Sequence, residues 1–264
     1  EAEAATAAPM AARDDLRDIP LVTIDDETAR DFDDAVWAEP DSDPGNKGGW
    51  HLIVAIADVA WYVRPDSPLD STAHERDNSV YLPDKVVPML PEALSNGWCS
   101  LNPDEDRPCF AVDMWIDADG NKRRHRFRRA MMRSAARLTY NRVQAIRDGE
   151  PTDGKPPPDG LIESLYGAFG ALFKERTGRG ALDLDLPERR VVLNPDGTIK
   201  GVETRVRHDS HRLIEEFMIL ANVCAAETLE EKGQPCMYRV HDDPAPDRVV
   251  ALRQYLETLG LSLG

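Results

Sequence analysis

WHLIVAIADV, residues 50–59, follows the turn-rich DSDPGNKGG at 41–49 and is almost continuously apolar and β-branched. That pattern predicts a central strand covered on both faces. Leu21 to Ile24 reads as an earlier, shorter strand after Pro20. Downstream, Cys109–Ile116 and Lys122–Met132 flank ADGN at 118–121, whose Asp-Gly pair signals a hairpin. RRVVL and TIKGVET flank NPDG at 194–197 in the same way. Helices are predicted from a Thr139 cap to Asp148, from Gly160 to about Arg176, from Ser210 to Lys232 and from Pro246 to about Leu259. Asp209 or Ser210 is the expected N-cap of the third, with Gly233 as its stop. Strands and helices intermingle without strict βαβ alternation, so the fold class is α+β, a mixed β-sheet with packed helices.

The Ala-rich, then charged residues 1–20 read as a loosely ordered lead segment, and 21–264 as one domain. GEPTDGKPPPDG at 149–160 is a flexible joint within it rather than a boundary. Asp and Glu outnumber Lys and Arg by 48 to 32, a net charge of −16, which argues against a general nucleic-acid-binding surface. The excess is uneven, because KRRHRFRR at 122–129, with Arg133 and Arg137 beyond, concentrates positive charge on one predicted strand. The four cysteines form no C-x-x-C pair and no zinc spacing, as expected of reduced, mostly buried thiols in a cytoplasmic protein. No apolar run is long enough to span a membrane, and the N-terminus lacks the features of a signal peptide.

Between the first two strands lies VTIDDETARDFDDAV, residues 22–36, with five aspartates and one glutamate. Two unit charges 4 Å apart repel by about 4 kcal/mol at an effective dielectric of 20. A solvated acidic turn is the ordinary reading of such a run. Convergence of Asp25, Asp31, Asp33 and Asp34 on a hard divalent cation is the alternative, favoured here by the flanking apolar strands and by Phe32 among the acids. Asp31 and Asp33 share one side of an extended segment, and Asp34 joins them only if the chain turns. An EF-hand loop begun at Asp31 fails, since Val36 and Ser42 stand where Gly and Glu are needed. TIDDET also resembles the D-x-E strand of DEDD-type exonucleases, with Asp25 and Glu27 as ligands and Tyr62 to Asp66 as a Tyr-x-x-x-Asp. Pro65 argues against the helix that segment would need.

A fuller resemblance runs through DLRDIPLVTIDDETARDFDDAV, VAIADVAWYV at 54–63, SVYLPDKVVPMLPEALSNGWCSLNP at 79–103 and HRLIEEFMILANVCAA at 211–226. In this order the segments resemble the catalytic RNB domain of the ribonuclease II/ribonuclease R exoribonucleases, nearer the ribonuclease R branch. The resemblance implies a Mg²⁺-dependent enzyme that degrades single-stranded RNA from its 3′ end to nucleoside 5′-monophosphates. It implies that Asp25, Asp31, Asp33 and Asp34 match the family's four aspartates, two or three holding Mg²⁺ and the other orienting or deprotonating water. Tyr81 falls where the family places an aromatic that stacks on the terminal base, a contact of about 1–3 kcal/mol. Leu184 stands where the opposing clamp is usually Phe.

The match to LIEE sets Glu215 beside the reacting phosphate, against a structural pairing with a neighbour such as Arg212. Arg30 reads as a neutraliser of the neighbouring aspartates. Arg124, Arg126 and Arg128 share one side of the basic strand, either as a solvated face or as a phosphate track for RNA. His74, His208, His211 and His241 show no metal-ligand spacing. Residues 21–264 are thus expected to be a partial RNB domain, ending before the family's T-S-P-I-R-R-Y segment. Flanking cold-shock and S1 domains are expected in the whole protein, and a monomer is the expected state.

Overall fold

Alternate residues of β4 (Trp50–Ala57) supply two separate cores, so both of its faces are covered. Leu52 and Val54 enter the core on one face, while Ile53, Ala55 and Ala57 enter the other. Burying one such Val, Leu or Ile side chain contributes about 1.5–3 kcal/mol, which makes this strand the fold's organising element. The computed structural model describes residues 1–181 and 186–263. Its backbone divides into two compact units, Glu1–Cys224 and the residues from Ala225 onward.

In the first unit, β4 is the middle strand of a seven-stranded sheet. Antiparallel to it run β3 (Asp34–Pro40), paired from Asp34↔Ile56 to Pro40↔Trp50, and β7 (Asp106–Ile116), paired from Trp50↔Ile116 to Ala57↔Cys109. Beyond β7 come β8 (Lys122–Arg133) and then the two-residue β1 (Asp14–Asp15); beyond β3 come β2 (Val22–Asp25) and β9 (Ala136–Thr139). The β1–β8 and β2–β9 pairings are parallel and the rest antiparallel, so the sheet is mixed as expected. Two small antiparallel pairs stand apart from it: β5 (Val80–Tyr81) with β6 (Val86–Val87), and β10 (Arg189–Leu193) with β11 (Ile199–Thr204).

The face bearing Val22, Ile24, Val36, Leu52 and Val54 packs under α3 (Tyr140–Arg147), α4 (Leu161–Gly178) and the first part of α5 (Asp209–Glu231). Two glycines permit the close approach of α4. A Cβ on Gly167 would lie 2.3 Å from the Trp50 ring, and one on Gly120, in the β7–β8 turn at φ +86°, would lie 2.1 Å from the Ala171 carbonyl oxygen. The opposite face is covered by Leu16, Leu21, Leu69 of α2 (Pro68–Arg76), and Leu94 of a π-helical turn, Ala93–Trp98. A short α1 (Val59–Tyr62) follows β4 directly, opened by Asp58.

The predicted cap holds at Thr139, whose Oγ1 accepts from the Arg142 amide, and α4 opens just after Gly160, whose φ is +73°. Ser210 plays a different part, because its hydroxyl donates to the Tyr140 carbonyl and ties α5 to α3. The lead segment is not loose throughout. Leu16 is buried, and the Arg13 guanidinium forms a buried ion pair with Asp58 at 2.8 Å. The second unit contains the end of α5, a turn at Gly233 and α6 (Pro246–Thr258). Among the described residues no helix is long and apolar enough to cross a membrane.

Candidate metal centre

The acidic motif is a strand end, a loop and a strand start. β2 closes on Asp25, β3 opens on Asp34, and residues 26–33 form the loop between them. Phe32 explains how the loop turns. Its ring is buried, its amide donates to Ser100 Oγ at 3.1 Å, and its carbonyl accepts from the Leu101 amide at 2.7 Å. With Phe32 held inward and the Asp33 carbonyl bound to the Ala57 amide, Asp33 and Asp34 are delivered to Asp25. One carboxylate oxygen of each lies within 4.8 Å of the others.

This convergence is costly without a cation. Burial first, and the Asp33 charge second, push both Asp25 and Asp34 up to about 7; burial likewise raises Asp33. Asp25 Oδ2 and Asp34 Oδ2 are buried with no hydrogen-bond partner. Buried polar atoms are almost always satisfied, so two orphaned carboxylate oxygens in one cluster fit a bound hard cation. Asp31 stands outside this triad and accepts a hydrogen bond from the Tyr81 hydroxyl at 3.3 Å. Tyr81 itself is 66% exposed, so its ring face is open to solvent.

The remaining acids of the motif have structural partners. Asp26 pairs with Arg205 at 2.9 Å, and Glu27 accepts from Asn141 Nδ2 at 2.8 Å. Glu27 is outside the triad, which removes the ligand that the DEDD-type reading requires. Arg30 is exposed and makes no ion pair among the described residues. The cation that braces the loop backbone is Arg137, from β9. Its Nη2 donates to the carbonyls of Glu27 at 2.9 Å and of Asp26 and Ala29 at 3.4 Å, and the guanidinium lies 4.9 Å from the centre of the Phe32 ring. Its charge also lowers the Asp25 pKa, against the larger effect of burial.

Beside Asp25 opens a cavity of about 220 Å³, lined also by Tyr140, Arg190, Arg205, His208 and His211. Tyr140 stacks on His211 with ring centres 4.1 Å apart. Sequence reading missed Tyr140 and gave Arg137 no place at the motif; the only signal was position, since Arg137 lies in β9, which pairs with β2, and Tyr140 opens α3 directly after it.

Glu215 pairs with Arg207 at 2.5 Å rather than with Arg212, which pairs with Asp209. The buried carboxylate of α5 is its neighbour Glu216, bound to Arg176 at 2.8 Å and raised in pKa by burial. Arg124, Arg126 and Arg128 are not gathered at the cluster. They lie on β8, four strand spacings or about 19 Å from β2. There Arg124 stacks on Trp115, Arg126 approaches Asp14 at 3.6 Å, and Arg128 pairs with Asp113 at 2.7 Å. Leu184 lies outside the described residues.

A family model described as the RNB domain matches residues 13–263. Ribonuclease R of Vibrio parahaemolyticus is 47% identical over 95% of this chain and 30% of its own length, and ribonuclease R of Escherichia coli K12 is 45% identical over 96% and 31%. The chain thus spans about a third of the length of the curated relatives it matches. A solved Mycoplasma genitalium RNase R in complex with ribose-methylated single-stranded RNA superposes with a TM-score of 0.90 at 29% identity, covering 98% of this chain and 40% of that one.

Proposed function

Because the chain belongs to the RNB-domain family, we propose that it is the metal-bearing part of a 3′-to-5′ exoribonuclease that hydrolyses single-stranded RNA to nucleoside 5′-monophosphates. Residues 21–264 act in this reading as a partial catalytic domain, flanked in the whole protein by cold-shock and S1 domains. The enzyme is a cytoplasmic monomer, which suits its four free cysteines. The observation that carries the reading is the meeting of Asp25, Asp33 and Asp34 with two orphaned carboxylate oxygens.

Asp25, Asp33 and Asp34 would hold Mg²⁺, which supplies charge against the scissile phosphate and lowers the pKa of a water. In this reading Asp31, which accepts a hydrogen bond from the Tyr81 hydroxyl, orients that water and takes its proton. Attack at phosphorus breaks the bond to the upstream 3′ oxygen, leaving the phosphate on the 5′ oxygen of the departing nucleotide. The exposed Tyr81 ring receives a base, and Glu215 acts near the same phosphate through its place on α5. The cavity bordered by Arg190 and Arg205 suits the anionic end of the nucleotide.

The test is release of mononucleotides from labelled single-stranded RNA by the full-length protein. Mg²⁺-dependent release that is lost in Asp33→Asn is the expected result. Retained release in Asp33→Asn, with loss in Glu27→Ala, would transfer the chemistry to a DEDD-type site and defeat the proposal.

A further inference from the structure

Strand register places an aromatic and cationic surface in line with the acidic centre. Asp34 pairs with Ile56, Ile56 with Phe110, and Phe110 with Arg129, so these four side chains share one face of the sheet. Three strand spacings, about 14 Å, separate Asp34 from Arg129 along this row. In the next row Val112 pairs with Phe127, and beyond it Met114 pairs with His125. Phe110 and Phe127 stack, with ring centres 5.3 Å apart and planes 12° from parallel, and His125 meets Phe127 edge-on. Phe110 is 43% exposed, although it sits in mid-sheet.

Charge complements this surface. β1 covers β8 only at Ala130 and Met131, so residues 122–129 form an open edge. Along it stand the exposed Arg123 and Arg129, the latter paired loosely with Asp58 at 3.7 Å. Arg124, Arg126 and Arg128 project to the opposite face from Asp34, whereas His125, Phe127 and Arg129 project to the same face. Aromatic rings interleaved with cations are what a single strand of nucleic acid requires, because every base offers a face to stack and every linkage a negative charge.

We propose that the Phe110–Phe127 stack with Arg129 is a base-stacking platform for single-stranded RNA upstream of the bond to be cut. The inference rests on reading the chain as a ribonuclease, but its test is binding rather than cleavage. Fluorescence anisotropy with EDTA present measures the affinity of this chain for a labelled oligoadenylate dodecamer and for a base-free ribose-phosphate oligomer of the same length. Phe110→Ala should weaken the dodecamer about 5- to 100-fold and leave the base-free oligomer unchanged, while Phe110→Trp should restore the dodecamer.

Equal weakening of both oligomers would mean that the ring acts through structure, and unchanged dodecamer affinity in Phe110→Ala would mean that another ligand, such as a protein, takes the surface. Either result overturns the proposal, as does failure of the chain to bind the dodecamer at all. Failure of the ribonuclease reading looks different, namely normal ring-dependent binding with no mononucleotide release from the full-length protein.

Discussion

Replacing Asp34 with Asn should stabilise the metal-free protein, against the usual outcome for a substitution in a half-buried site. Carboxylate oxygens within 4.8 Å of one another repel by at least about 3.5 kcal/mol per fully ionised pair at an effective dielectric of 20. Proton uptake relieves part of this. The rise of Asp34 from 3.8 to about 7 sets a ceiling of about 4 kcal/mol above neutral pH. Solvent reaches the site through the exposed Asp33, so about half that ceiling, or about 2 kcal/mol, is the reasonable expectation. Asn keeps the size of Asp and discards the charge. Near pH 8 in EDTA, Asp34→Asn should therefore raise the melting temperature by roughly 4–8 °C. Mg²⁺ at about a hundred times its dissociation constant should add about 2.7 kcal/mol to the parent and much less to the variant, reversing their order. Scanning fluorimetry in EDTA and in Mg²⁺ reads both. A lower melting temperature for the variant in EDTA, or an equal gain from Mg²⁺ in both proteins, would refute the argument.

The same carboxyls should give the metal-free protein a distinctive pH response. Asp25 and Asp34 have folded-state pKa values near 7 against 3.8 unfolded, so their contribution is fully present below about pH 4 and is lost as pH rises through 7. The stability of the parent relative to Asp25→Asn/Asp34→Asn should fall across that window in EDTA and not in Mg²⁺; denaturant titrations at several pH values would detect a flat difference if the idea is wrong. Arg137→Met should weaken Mg²⁺ about 10-fold by releasing the carbonyls of Asp26, Glu27 and Ala29, as measured by the Mg²⁺ dependence of melting; unchanged affinity would make the arginine a mere packing residue.

Local pattern carried much of this molecule. The continuous apolar run of β4, the Asp-Gly turn between β7 and β8 and the Thr139 cap are each decided by neighbours in sequence, and each appears as read. Density of charge beside apolar strands suggested that Asp25, Asp31, Asp33 and Asp34 converge; three of them do, and Asp31 stands apart against Tyr81. What escaped is what depends on distant pairing. β3 begins inside the acidic run, where its charge hides its alternation, and Arg137 reaches the motif from more than a hundred residues away. That the buried carboxylate of α5 is Glu216 and not Glu215 turns on which one faces Arg176 on α4, a fact of helix packing that periodicity alone left open. Likewise, which side of β8 faces Asp34 follows from a register fixed three strands away.

The parallel pairing of β2 with β9 has a consequence for how the molecule comes to life. Val22 finds Ala136 only after the intervening meander has been laid down, and the brace on the Asp26–Ala29 carbonyls arrives with that late strand. Such long-range closure is slow relative to local hairpin formation. A nascent chain emerging from the ribosome thus carries Asp25, Asp33 and Asp34 long before the strand that braces their loop exists, and the acidic cluster takes its final form only when the sheet is nearly whole.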